Sequence, residues 1–79
     1  MKKITTLDKI NINTTAKIID IDNNSKLKNR MQSLGITPNN YIRCEFKSPF
    51  NNPRAYLIKG CTIAIRNEDA KDVKVIIDE

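Results

Sequence analysis

Apolar residues recur at two spacings along this 79-residue chain, and the switch between them marks out its elements. Tyr41–Lys47 alternates, with Ile42, Cys44 and Phe46 on one side and Tyr41, Arg43, Glu45 and Lys47 on the other. That period of two predicts a strand half buried on a core. Cys61, Ile63 and Ile65 alternate with Thr62, Ala64 and Arg66 in the same way, and Val73, Val75 and Ile77 mark a closing strand. Ala16–Ile21 and Arg54–Ile58 are apolar runs bounded by turn residues and also read as strands. One stretch has the other spacing: Leu27, Met31 and Leu34 stand at i, i+4 and i+7, with Lys28, Asn29, Gln32 and Ser33 opposite. This predicts one helix, capped by Asn24 or Ser25, stopped by Gly35 at C′ and barred from continuing by Pro38.

The connections carry turn chemistry. Thr6–Ile10 reads as a helical turn capped by Thr6, with Leu7 and Ile10 covering one end of the core. Asn13 and Gly60 suit positive φ, and Lys59-Gly60 reads as a tight turn. Pro49-Phe-Asn-Asn-Pro53 is a loop, because neither proline can donate to a ladder. Asn67–Asp72 reads as a second helical turn, capped by Asn67, with Glu68 and Asp69 near its positive end. Five short strands, one helix and two helical turns predict a mainly β fold, a small closed barrel, since closure removes exposed edges. Periodicity alone does not choose between an SH3-like and an OB-like topology. Residues 1–79 form one domain on this reading, without repeat or linker, and at that size only roughly 60–65% of the unfolded surface can be buried.

Composition narrows the chemistry. There is no His, and the two cysteines, Cys44 and Cys61, form no CxxC. Neither a disulfide framework nor a zinc site is expected, and both cysteines, on the inward parity of their strands, read as buried, reduced thiols of a cytoplasmic protein. With Gly35 and Gly60 the only glycines, no phosphate-cradling loop exists. Asp20 and Asp22 end a strand and Glu68-Asp69 start a helical turn, so no carboxylate pair sits where burial would tune it for acid–base work. No enzymatic activity, metal site or cofactor is predicted. Met1-Lys-Lys leads into Ile-Thr-Thr rather than an apolar signal core, and no apolar run reaches membrane-span length. The net charge of +5 keeps a nucleic-acid partner open, with Tyr41, Phe46, Phe50 and Tyr56 as stacking faces. An aromatic held between prolines, Phe50, suits a protein interface, because it loses little entropy on docking.

Three segments in order resemble those of FeoA-type proteins, small accessory proteins of bacterial ferrous iron transport. Arg30-Met-Gln-Ser-Leu-Gly-Ile-Thr-Pro is similar to the family's helix-end motif. Pro49-Phe-Asn-Asn-Pro53 resembles its Pro-Leu-Gly-Asp-Pro loop, with Asn51-Asn52 replacing Gly-Asp. Ile63-Ala-Ile-Arg-Asn-Glu-Asp-Ala70 resembles its Leu-Ala-Leu-Arg-x-x-Glu-Ala segment. The resemblance implies an SH3-like barrel with an inserted helix, no catalysis, and docking on the cytosolic side of a FeoB-type GTPase transporter. It also allows a free-standing relative of the C-terminal domain of DtxR-type metal-dependent repressors. The expected partner surface combines Arg30, Leu34, Gly35, Pro49, Phe50, Pro53 and Arg66, with Phe50 as the apolar anchor and the arginines as rim charges. Weak self-association through exposed rim residues is the remaining expectation.

Overall fold

The computed structural model describes residues 1–22, 28–47, 49 and 52–78. Among these residues there are six strands, β1 (Lys2–Thr6), β2 (Thr15–Ile21), β3 (Tyr41–Lys47), β4 (Arg54–Ile58), β5 (Cys61–Ile65) and β6 (Val73–Asp78). Helices α1 (Lys28–Ser33) and α2 (Asn67–Ala70) and a 3-10 turn at Leu7–Lys9 join them. All strand pairs are antiparallel, in the order β1-β6-β2-β3-β4-β5. The expected five-stranded closed barrel is corrected on both counts: there is a sixth strand, and the two end strands, β1 and β5, do not pair. β1 carries no buried side chain. Its register with β6, Lys2 opposite Asp78 through Thr6 opposite Lys74, comes from the backbone ladder, which hydrophobic periodicity cannot reveal.

One face of the sheet wraps a core of Leu7, Ile10, Ile18, Ile36, Ile42, Tyr56, Ile58, Val73 and Val75, all essentially inaccessible to water. Each such aliphatic side chain stabilises the fold by about 1.5–3 kcal/mol relative to exposure. Leu7 and Ile10 cap one end of this core, as the sequence leads one to expect. Met31 alone brings α1 onto it within Lys28–Ser33; Leu27 and the expected N-caps Asn24 and Ser25 lie outside the described residues.

Two register shifts bend the sheet, one in β2 between Ile18 and Asp20 and one in β3 between Cys44 and Phe46. The second overturns the expected core role of Phe46. Cys44 pairs with Tyr56 on the inner face, Glu45 is the extra residue, and Phe46 then pairs with Ala55 on the outer face, where it is 60% exposed. Cys61 departs from expectation as well: although it pairs with the buried Ile58, it sits beside the Lys59-Gly60 turn on the end strand of the sheet and is exposed. Its thiol is free, as is the buried thiol of Cys44.

The turns follow their residues. Asn13 (φ 68°) and Gly60 (φ 79°) take the left-handed region, and Lys59 (φ 49°) joins Gly60 in it, so both central residues of the β4–β5 hairpin are of the type I′ kind. Neither helical turn has a side-chain cap: Thr6 Oγ1 instead donates to the Asp8 carboxylate, and Asn67 is the first residue of α2 rather than its cap.

A cleft between the helix end and the edge strand

The helix stop positions the candidate site. The Gly35 N–H donates to the Gln32 carbonyl at 3.0 Å and the Ile36 N–H to the Met31 carbonyl at 3.0 Å, the paired bonds of a Schellman motif. Gly35 stands at φ 91°, where a side chain is strained. Ile36 folds back against Met31, both buried, which is the apolar contact this motif favours. The reversal leaves Leu34 outside the core and 42% exposed, although helical spacing assigns it to the same face as Met31. Asn40 holds the following turn, its Nδ2 donating to the Gly35 carbonyl at 3.3 Å and to Thr37 Oγ1.

Leu34 stands over a cleft of ≈ 440 Å³. Arg30, Met31, Leu34 and Ile36 form one wall; Ala64, Ile65 and Arg66 at the end of β5 form the other; Glu68 and Asp69 in the first turn of α2 close the rim. Its lining combines the apolar side chains of Met31, Leu34, Ile36, Ala64 and Ile65 with charges of both signs. Arg66 Nη1 lies 3.6 Å from Glu68 Oε1, an exposed pair that orients the side chains more than it stabilises them.

Of the residues expected at a partner surface, the structure gathers Arg30, Leu34 and Arg66 around this cleft, while Gly35, between Leu34 and Ile36, does not line it. Pro49 and Pro53 are exposed and do not line it. Phe50 lies outside the described residues. The end of its loop is nevertheless held nearby, because Asn52 Oδ1 accepts the Asn67 N–H at 3.0 Å, between the rim residues Arg66 and Glu68. Sequence reasoning did not assign Ala64, Glu68 and Asp69 to the site; the outward parity of Ala64 and the acidic first turn of α2 were the available signals. Of the proposed stacking faces, Tyr41 and Phe46 are exposed, but Tyr56 is fully buried and cannot meet a base.

Tyr56 belongs to a second cluster, inside the core. Arg54 is 6% exposed, and its guanidinium donates to the Ile10 carbonyl at 2.7 Å, the Leu7 carbonyl at 3.4 Å and the Tyr56 hydroxyl at 3.2 Å. Burial pushes the Cys44 thiol and the Tyr56 phenol above their ordinary values, and the Arg54 charge beside each draws them partly back. Among the described residues no three His, Cys, Asp or Glu side chains converge as a metal site. No helix among them is long and apolar enough to cross a membrane.

An antiparallel sheet bent over one core, an inserted helix and an open cleft of mixed apolar and charged lining define a small SH3-like β module. The FeoA domain profile matches residues 5–77, and the chain belongs to the FeoA family, which is linked to ferrous iron transport and is not a known enzyme family. A FeoA-like protein from Clostridium acetobutylicum is 30% identical and superposes with a TM-score of 0.89 over 98% of this chain and 90% of its own. FeoA from Stenotrophomonas maltophilia, solved with zinc and described as a prokaryotic SH3 domain protein and candidate ferrous iron transport activating factor, is 24% identical. Its TM-score is 0.80 over 90% of this chain and 88% of its own. The fold also recurs in IdeR of T. acidophilum, 21% identical with a TM-score of 0.81, where 95% of this chain covers 34% of that one. No functionally curated protein matches the chain.

Proposed function

We propose that this protein is a non-enzymatic, cytoplasmic accessory factor of ferrous iron transport that acts as one domain by docking to the cytosolic GTPase side of a FeoB-type transporter. The observation that carries the reading is the cleft: within a FeoA-family chain, Arg30, Leu34 and Arg66 come together around one open cleft. An exposed leucine flanked by two arginines offers an anchor with rim charges that orient the encounter. We extend the interface to the Pro49–Pro53 loop and its Phe50, a reading supported by the bond from the Asn67 N–H to Asn52 beside the rim.

Titration of the purified protein against the solubilised transporter, with Leu34→Asp and Phe50→Ala in parallel, tests this. Both substitutions are expected to weaken binding by at least about tenfold, the loss of an interface anchor. Leu34→Asp is expected to leave the melting temperature nearly unchanged, because Leu34 is already part exposed. Unaltered binding by both variants refutes the proposed surface, and absence of any binding by the wild type refutes the docking role.

A further inference from the structure

Among the described residues, no strand pairs with the outer edge of β5. Ile58 and Cys61 flank a two-residue turn and so form a hydrogen-bonded pair. By alternation Ile63 and Ile65 also turn their N–H and C=O groups toward β4, whereas Thr62 and Ala64 turn theirs outward. Both are exposed, and neither makes a backbone bond outside the ladder to another described residue. Cys61–Ile65 contains no charge and no proline and is rich in β-branched residues, the composition of an edge that accepts another strand. The opposite edge differs: β1 begins Lys2-Lys3, and like charges guard it against pairing with itself.

We propose that β5 is a self-association edge, through which two copies of this chain pair antiparallel about a twofold axis at Ile63. In that register Thr62 lies opposite Ala64 of the second copy, and every outward N–H and C=O of both residues finds a partner. Shifting by two residues loses this match. One direction recruits Gly60, which is in the turn at φ 79°, and the other recruits Arg66, whose carbonyl already accepts the Asp69 and Ala70 N–H groups. Charge complementarity selects a second copy as the occupant. Antiparallel pairing about Ile63 brings the hairpin end of one copy, with the exposed Lys59, toward the α2 end of the other, where Glu68 and Asp69 follow β5, and the twofold axis repeats the contact. Because Ala64 and Ile65 also wall the cleft, the paired state covers it.

Sedimentation velocity from micromolar to millimolar concentration provides the test. The wild type is expected to show a reversible monomer–dimer equilibrium. Thr62→Pro is expected to stay monomeric while keeping its β-sheet circular dichroism, because the lost N–H faces away from β4. Thr62→Lys, which places a charge on the same edge without touching the backbone, is expected to do the same. Lys59→Glu is expected to weaken the dimer roughly tenfold, as two exposed attractions become repulsions. In a Cys61→Ser background, Ile63→Cys is expected to cross-link on mild oxidation, since facing non-hydrogen-bonded Cα atoms lie ~4.5 Å apart, within disulfide reach. A wild type that is monomeric at millimolar concentration overturns the proposal. So does a dimer that survives both Thr62 substitutions, or an edge whose substitution impairs only binding to a different protein.

Discussion

Truncation of Arg54 is the perturbation whose outcome the structure specifies most closely. Its guanidinium lies in the core, and the acceptors it reaches are two main-chain carbonyls and a phenol; none of the ion pairs among the described residues involves it. The Leu7 carbonyl has other donors, the Ile10 N–H at 3.4 Å and the Tyr56 hydroxyl at 3.4 Å. The Ile10 carbonyl has its short 2.7 Å bond from Arg54. Arg54→Ala therefore removes a charge-assisted bond worth about 1.5–3 kcal/mol and strands an acceptor. It also opens a cavity beneath Tyr56, whose ring centre lies 5.5 Å from the guanidinium carbon. With a cavity term of about 1–2 kcal/mol, the expected cost is about 3–5 kcal/mol, out of about 4–12 kcal/mol for a chain of this length.

Arg54→Met separates the contributions. It keeps most of the stem and removes the charge, so relief from desolvating a guanidinium offsets part of the lost bonding, and a cost of about 1–2 kcal/mol is expected. Urea denaturation followed by circular dichroism measures both variants, and amide exchange at Ile10 reports whether the 3-10 turn has loosened. An Arg54→Ala cost below about 1 kcal/mol, within the range of surface substitutions, would refute the assignment of Arg54 as the tie between β4 and the β1–β2 connection.

Two further outcomes follow from the same geometry. Phe46→Ser is expected to change stability by less than about 1 kcal/mol, because the β3 register shift turns the ring outward; a loss of about 3–5 kcal/mol in urea denaturation, the cost of truncating a core phenylalanine, would place it back in the core. Alkaline pH is expected to destabilise the fold: the Cys44 thiol and Tyr56 phenol are held above their ordinary values of 9.0 and 10.0, so the folded state keeps protons that the unfolded chain releases. Their contribution is complete below the ordinary thiol value and is lost as pH rises through the folded values, so the melting temperature should fall through this range and fall less in Cys44→Ala; a flat profile would contradict the burial of both groups.

What the sequence disclosed, and what it withheld, divides along a physical line. Side-chain patterning reports which face of an element is buried, and it located β2 to β6 and the apolar core. The positive φ at Asn13 and Gly60 and the stop at Gly35 were equally legible, because each is imposed by local sterics. Backbone ladders leave no such trace. β1 has no buried side chain and exists through pairing with β6. The extra residue at Glu45 inverts the parity of Phe46 without altering the alternating pattern. Leu34 failed for a related reason: a helical period presumes that the helix continues, whereas the Schellman reversal ends it one residue earlier. Arg54 carries a signal of its own in the pattern. It stands two residues before Tyr56 and four before Ile58, on their inward face, and only the general expectation that arginine is solvated argues against its burial.

These particulars explain how an open sheet can hold the shape expected of a closed barrel. Without hydrogen bonds between β1 and β5, something other than the ladder must fasten the β4–β5 hairpin to the start of the chain. Arg54 does this from β4, reaching the carbonyls of Leu7 and Ile10 on the connection between β1 and β2. α2 adds a second fastening, since its contacts with the 3-10 turn bring the end of β5 against the same connection. Among the described residues no strand pairs with the edge of β5 beside the cleft, and a closed barrel would have consumed that edge. Strand closure and an accessible edge at that position are alternatives, and this chain has the second.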